Sequence, residues 1–154
     1  MHVEIRTMPE LRTAALRHVG PYDRISEAFE RLDHLAGEAG LLHVKPTLLA
    51  IYYDDPATTA LAELRSDAAL VLSKDAPLPA GMHEARLPGG RHAVTTHVGP
   101  YQKLGDVWAR FKSEWLPGSG ERLGAGNSFE IYVNTPGEVP PEQLRTELYL
   151  PLAD

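Results

Sequence analysis

Cysteine is absent from the 154 residues, which excludes disulfides, thiolate nucleophiles and zinc–thiolate centres. Long apolar runs are absent too: none approaches the ~20 residues that cross a bilayer as a helix. The first eighteen residues, MHVEIRTMPELRTAALRH, carry charges throughout and offer no apolar stretch for a signal peptide. Basic residues are in deficit, 15 Lys and Arg against 21 Asp and Glu, for a net charge of −6. Such a surface repels phosphate backbones, so direct nucleic-acid binding is not expected, whereas a small cationic ligand is compatible. Seven histidines (His2, His18, His34, His43, His83, His92 and His97) fall into no metal-ligand spacing, so no metal is expected. Gly118-Ser119-Gly120 and Gly124-Ala125-Gly126 flank a loop but lack the Gly-Lys-Ser/Thr of a phosphate cradle. They fit a lid or a simple connector equally well. Nothing calls for a cofactor. A soluble, cytoplasmic protein is expected, and oligomeric state is not legible.

What the chain does contain is a repeat. His18-Val19-Gly20-Pro21-Tyr22 recurs as His97-Val98-Gly99-Pro100-Tyr101, 79 residues on. At the same offset Phe29 falls on Trp108 and Leu32 on Phe111. With one residue inserted, Ile51-Tyr52 falls on Ile131-Tyr132 and Pro56 on Pro136. Leu64-Arg65-Ser66-Asp67 then falls on Leu144-Arg145-Thr146-Glu147. Three blocks in one order establish an internal duplication, with a first copy of about 1–74, a second of about 81–154, and a short proline-rich linker.

Each copy has the same pattern. In the first, runs at 2–6 and 12–19 fit two strands separated by Pro9. Val19-Gly20-Pro21 ends the extended run, and Pro21 suits the first turn of a helix. Ile25, Phe29, Leu32 and Leu35 or Ala36 form a stripe of period near 3.6, and Gly40 is a fitting stop. Strands follow at 48–53 and 68–72. The second copy places strands near 81–87, 91–98, 128–133 and 146–151, with a helix from Tyr101 through Leu104, Trp108, Phe111 and Trp115. The expected fold is α+β: duplicated β-β-α-β-β units forming one domain over 1–154, with paired antiparallel sheets, two helices on one face and a ligand cleft on the other.

Function is expected where the copies meet and differ. Ala50-Ile51-Tyr52-Tyr53 aligns with Glu130-Ile131-Tyr132-Val133. Alternation puts Ser128, Glu130 and Tyr132 on one face and Phe129, Ile131 and Val133 on the other. If the second set lies under the helices, Glu130 points to the open side, beside Tyr132 and near Tyr52 and Ala50. A mid-strand carboxylate among aromatic residues is either exposed, paired with Arg65 or Arg145, or an anion that selects a cationic ligand with help from tyrosine rings.

The duplicated His-Val-Gly-Pro-Tyr, the segment Phe129-Glu130-Ile131-Tyr132-Val133-Asn134-Thr135-Pro136 and the terminal Glu147-Leu148-Tyr149-Leu150-Pro151-Leu152 resemble the GyrI-like small-molecule-binding domain. This is the effector-binding domain of AraC-type and MerR-type multidrug-sensing regulators. The resemblance implies a duplicated strand-helix-strand-strand fold, an aromatic cleft, and a strand glutamate that meets cationic or amphipathic drugs, here Glu130. It also implies a stand-alone form, because no helix-turn-helix precedes the first strand.

Three functions follow. The first is a non-catalytic binder of cationic, amphipathic or polyaromatic molecules, acting by sequestration or as a sensor, with Glu130, Tyr132, Tyr52, Ala50, Tyr22, Tyr101, Trp108 and Tyr149 as candidate contacts. The second, which some stand-alone relatives resemble, is a hydrolase opening strained cyclopropyl rings, with Glu130 and either Tyr132 or Tyr101 as catalytic residues. The third is interaction with a protein partner, DNA gyrase or a regulator.

Overall fold

The computed structural model of the chain describes residues 1–42 and 44–154, so His43 lies outside the described residues. The strands are β1 (Glu4–Met8), β2 (Leu11–Val19), β3 (Leu48–Tyr52), β4 (Arg65–Val71), β5 (His83–Leu87), β6 (Gly90–Val98), β7 (Ser128–Tyr132) and β8 (Arg145–Pro151). The helices are α1 (Ser26–Glu38), α2 (Leu104–Arg110) and α3 (Leu116–Ser119), the last two joined by a π-helical turn at Phe111–Trp115. The fold is α+β with antiparallel strands, as the duplicated pattern implies. No helix of the described residues is long and apolar enough to cross a membrane.

Two compact units divide the chain. Glu10–Pro88 carries strands in the order β3-β4-β2-β5. On it α1 buries Ala28, Leu32 and Ala36 against Ala14, Leu16, Ala68 and Leu70, with Ile25, Phe29 and Leu35 partly buried beside them. The spacing of four between the buried helix residues is the amphipathic stripe expected of a helix covering a sheet. The second unit joins Met1–Pro9 to Gly89–Asp154 and orders its strands β1-β6-β8-β7. Its core sets Leu104 and Phe111 on Ala93, Leu148, Leu150 and Leu152.

The packing units are not the sequence copies. Glu4 of β1 pairs with Val94 of β6, and Thr13 of β2 pairs with Ala85 of β5. Each copy therefore lends its first strand to the sheet built by the other copy's remaining strands. Strands β1 and β2, neighbours across Pro9, go to different units.

The repeated pentapeptide is a hinge between strand and helix. His18 Nε2 lies 3.0 Å from the Pro21 carbonyl and His97 Nε2 lies 3.2 Å from that of Pro100. A carbonyl only accepts, so Nε2 carries the proton in both rings. Gly20 and Gly99 adopt φ of 129° and 141°, where a Cβ is strained, and donate their N–H groups to Leu64 and Leu144 at 2.7 and 2.8 Å. Pro21 and Pro100 do not open the α-helices. Each precedes a short 3₁₀ turn, Tyr22–Arg24 or Tyr101–Lys103, so α1 and α2 begin later than the proline positions suggest.

The residue inserted between the copies has a structural address. Phe111 stands 79 after Leu32, but the left-handed glycines that end the helices, Gly40 (φ 72°) and Gly120 (φ 78°), are 80 apart. The extra residue thus falls within 112–120, a stretch that opens inside the π turn at 111–115. An i→i+5 turn holds one residue more than an α turn, so the insertion is absorbed without leaving the helix.

The loop after α3 is a pinned connector. Gly124 N–H donates to the Pro151 carbonyl at 2.9 Å, Ala153 N–H to Arg122 at 2.8 Å, and Arg91 grips both carboxylate oxygens of Glu121 at 2.8 and 3.0 Å. A Cβ at Gly124 would lie 2.6 Å from the Leu152 backbone oxygen, whereas one at Gly105, in α2, would meet nothing within 4 Å. Gly124→Ala is accordingly expected to cost about 1–3 kcal/mol as overpacking, and Gly105→Ala to gain roughly 0.5–1 kcal/mol from helix propensity. Urea midpoints of the two variants check this.

Candidate functional site

Glu130 sits in the middle of β7 and is only 1% exposed. It is in register with Leu148, which packs with Leu150 against Leu104 and Phe111, so its side chain lies on the helix-covered face. This reverses the expectation that Phe129, Ile131 and Val133 line the helix side while Glu130 faces away. The reason is that both faces of β7 are covered. Phe129 packs on the opposite face, its ring stacked on Tyr149 at 4.6 Å and 6°, with His92 edge-on to both at 5.6 and 6.4 Å. A five-residue strand with aromatic residues on each face gives alternation nothing to choose by.

The carboxylate is met by donors from helix and strand. Trp108 Nε1–H donates to Oε1 at 2.5 Å, and the Tyr132 hydroxyl donates to Oε2 at 2.9 Å. These two donors, an indole N–H and a phenol O–H, are themselves uncharged. Tyr132 packs edge-on to Tyr101, ring centroids 5.5 Å apart. Burial pushes the Tyr101 hydroxyl above its ordinary value, and the negative charges of Glu130 and Glu138 push it the same way. Behind the indole, Phe111 stacks on Trp108 at 5.9 Å, and Trp115 meets Phe111 at 5.5 Å.

Glu130, Tyr132, Tyr101 and Trp108 are therefore brought together. Tyr149 is not among them: it shares the Phe129 face, where its hydroxyl donates to Glu147 at 3.0 Å and accepts from Arg6 at 3.3 Å. Ala50, Tyr52 and Tyr22 belong to the unit 10–88. There Tyr22 and Tyr52 form the counterpart of the Tyr101–Tyr132 pair, 4.7 Å apart, and Ala50 lies opposite Ala68 on the helix face. Arg65, weighed as a partner for Glu130, forks onto Asp54 at 2.9 and 3.0 Å. The tyrosine pair thus occurs in both copies, whereas the Glu130–Trp108 bond has only Ala50 and Phe29 at the equivalent positions.

Two features escaped sequence reasoning. Lys112 places Nζ 5.5 Å from the centre of the Trp108 ring, a contact that the i, i+4 spacing could have flagged. Asp67, fully buried on the other face of its sheet, accepts from Arg17 at 2.8 Å and the Tyr53 hydroxyl at 2.6 Å, with His83 Nε2 at 2.9 Å. Burial and the Asp67 contact hold the Tyr53 hydroxyl well above its usual range. With its lone pairs so engaged, Asp67 acts as a clamp across the strands of its unit. No group of three or more His, Asp or Glu among the described residues is arranged to hold a metal ion.

The profile of the GyrI-like small molecule binding domain matches residues 1–153. The chain belongs to this family. It is 31% identical to the Escherichia coli K12 "Probable transcriptional regulator YgiV", covering 99% of this chain and 97% of that one. It is likewise 31% identical to an Erwinia billingiae "DNA gyrase inhibitor", covering 99% and 98%. Among solved structures, the EcmrR C-terminal domain superposes with a TM-score of 0.77 at 14% identity, covering 99% and 98% of the two chains. A hydrolase encoded by lin2189 of Listeria innocua gives 0.68 at 16% identity, covering 98% and 91%. SAV2435 bound to tetraphenylphosphonium gives 0.67 at 14% identity, covering 99% and 94%. These three likenesses concern the fold.

Because burial is the largest cause of the Tyr101 shift and the Glu130 charge the next, Glu130→Gln should lower the Tyr101 pKa while burial still holds it above the ordinary tyrosine value. A ring-carbon NMR titration of tyrosine in both proteins measures it; an unmoved Tyr101 would show that the carboxylate is not the neighbour it senses.

Proposed function

We propose that this chain binds cationic, aromatic or amphipathic small molecules, with Glu130 as the anion that receives the positive charge. The observation that carries the reading is a 1% exposed carboxylate held by an indole and a phenol, in one copy of a duplicated fold whose other copy has alanine there. Packing does not require the acid, since Ala50 fills the equivalent place. A buried carboxylate strongly favours a cation, because each charge lacks the water that would otherwise screen it. The aromatic residues Trp108, Tyr101 and Tyr132 add stacking and cation–π attraction of ~0.5–2 kcal/mol per ring. That SAV2435, of like fold, carries tetraphenylphosphonium supports the ligand class. Sequestration or sensing are the roles such binding serves. The gyrase-inhibitor relatives make gyrase a partner to test, by adding excess protein to a supercoiling assay.

Titration with tetraphenylphosphonium is expected to show binding that Glu130→Gln weakens at least tenfold, about 1.4 kcal/mol or more. Thermal melts of both proteins show whether the fold is kept. Equal affinity in two folded proteins would defeat the role given to Glu130.

A second reading has its own support in the 2.9 Å Tyr132–Glu130 bond and in the hydrolase of like fold. Here Glu130 takes a proton from water as the water oxygen bonds to a carbon of a strained three-membered ring. The strained C–C bond breaks and its electron pair passes to the ring's electron-withdrawing substituent, where a tyrosine hydroxyl steadies the developing charge. The proton held by Glu130 is then returned to that product. Single-turnover assays with an electrophilic cyclopropane decide between the two. Product formation abolished by Glu130→Gln would favour hydrolysis, and unchanged substrate would leave binding alone.

A further inference from the structure

Trp108 does two things at once. Its N–H edge donates to Glu130 and its ring carries the Lys112 ammonium, 5.5 Å from the centroid. An aromatic ring, an N–H donor and a cation are what a cationic aromatic ligand would bring to Glu130, and the chain supplies all three from one stretch of helix. The set is confined to one copy. At the offset of 79 that holds through Phe111, Trp108 stands on Phe29, while Glu130 stands on Ala50 at the later offset of 80. Lys112 opens the stretch 112–120 that takes the extra residue, and the first copy offers Leu32 at an offset of 80 and Asp33 at 79, neither of them a base. Indole, ammonium and carboxylate thus occur together in the second copy. Lys112 is half-buried, and its flexible four-carbon stem can leave the ring at little steric cost.

We propose that Lys112 is a built-in competitor for the ligand's cation: its ammonium rests on the Trp108 ring in the ligand-free protein and is displaced when a cationic ligand takes that ring. This rests on the reading of Glu130 as the anionic anchor. Residue 112 then sets a threshold. Every ligand must displace a tethered ammonium, so weakly bound, strongly hydrated cations fall short, while large cations that cover the indole with aromatic surface succeed. Removing the competitor should help all ring-bound cations by the same factor, because the fraction of protein with a free ring does not depend on the ligand.

The test uses the full chain, tetraphenylphosphonium and tetramethylammonium as probes, and the variants Lys112→Met, Lys103→Met and Glu130→Gln. Lys103 is exposed in the 3₁₀ turn before α2, so its loss changes net charge equally without touching the ring. Lys112→Met is expected to tighten tetraphenylphosphonium roughly two- to fivefold, the size of an exposed cation–π contact, and tetramethylammonium by the same factor. Lys103→Met should match the wild type. In NMR spectra of the wild type, the Lys112 side-chain methylene protons should be shifted upfield by the indole and should return to random-coil positions at saturation with tetraphenylphosphonium. If Glu130→Gln loses binding but Lys112→Met matches Lys103→Met, or the upfield shift survives saturation, the competitor is overturned and the anchor stands. If tetraphenylphosphonium binds wild type and Glu130→Gln alike, or neither, both fall.

Discussion

A carboxylate buried under a helix is costly unless every lone pair finds a donor. In the unit 1–9 and 89–154 the Trp108 indole and the Tyr132 phenol donate to the Glu130 carboxylate. The rest of the arrangement depends on it. Helix α2 must hold Trp108 within reach of β7, so the rings that fix α2, Phe111 and Trp115, stack behind it. The one-residue excess of this copy falls beyond Phe111, in a stretch that the π turn opens, and so leaves Trp108 where it is. The connector that returns the chain to β7 is tied to the strand end at Pro151 and Ala153.

Duplication makes it possible to separate what the fold needs from what a ligand needs. The histidine-to-proline hydrogen bond, the strained glycine after the strand, the paired tyrosines and the left-handed glycine at the helix end occur in both copies. They are the architecture. Glu130, Trp108 and Lys112 occur in one copy; Glu130 and Trp108 stand on Ala50 and Phe29 in the other. Asp67 shows no such contrast: it falls on Glu147, and each acid meets an arginine and a tyrosine, Arg17 and Tyr53 in one unit and Arg6 and Tyr149 in the other. At Glu130 an indole and a phenol donate to the carboxylate.

The duplication was legible because local identity survives in it: two pentapeptides and two flanking blocks needed no tertiary information. Glu130 was legible for the same reason, as the acid that breaks the symmetry at an aligned strand. Its face was not, since Phe129 and Ile131 on one side and Tyr132 on the other make β7 apolar either way, and only the register with Leu148 decides. Tyr149, named with Glu130 as a candidate contact, stands on the opposite face, stacked on Phe129. The π turn was readable in principle from the step in offset from 79 to 80, but a single inserted residue does not announce whether helix or loop absorbs it. The pairing of β1 with β6 was out of reach, because nothing local records which distant edge a five-residue strand will choose.

That last pairing also sets a timetable. A chain made from its N-terminus can close the sheet of residues 10–88 as soon as β5 has emerged, with every strand of that unit in hand. Strand β1 is made before β6 yet waits about 90 residues for it, and its unit lacks β8 until residues 145–151 have been made. The half that carries Glu130 is therefore closed after the other, and the strand at its edge is older than every strand it joins.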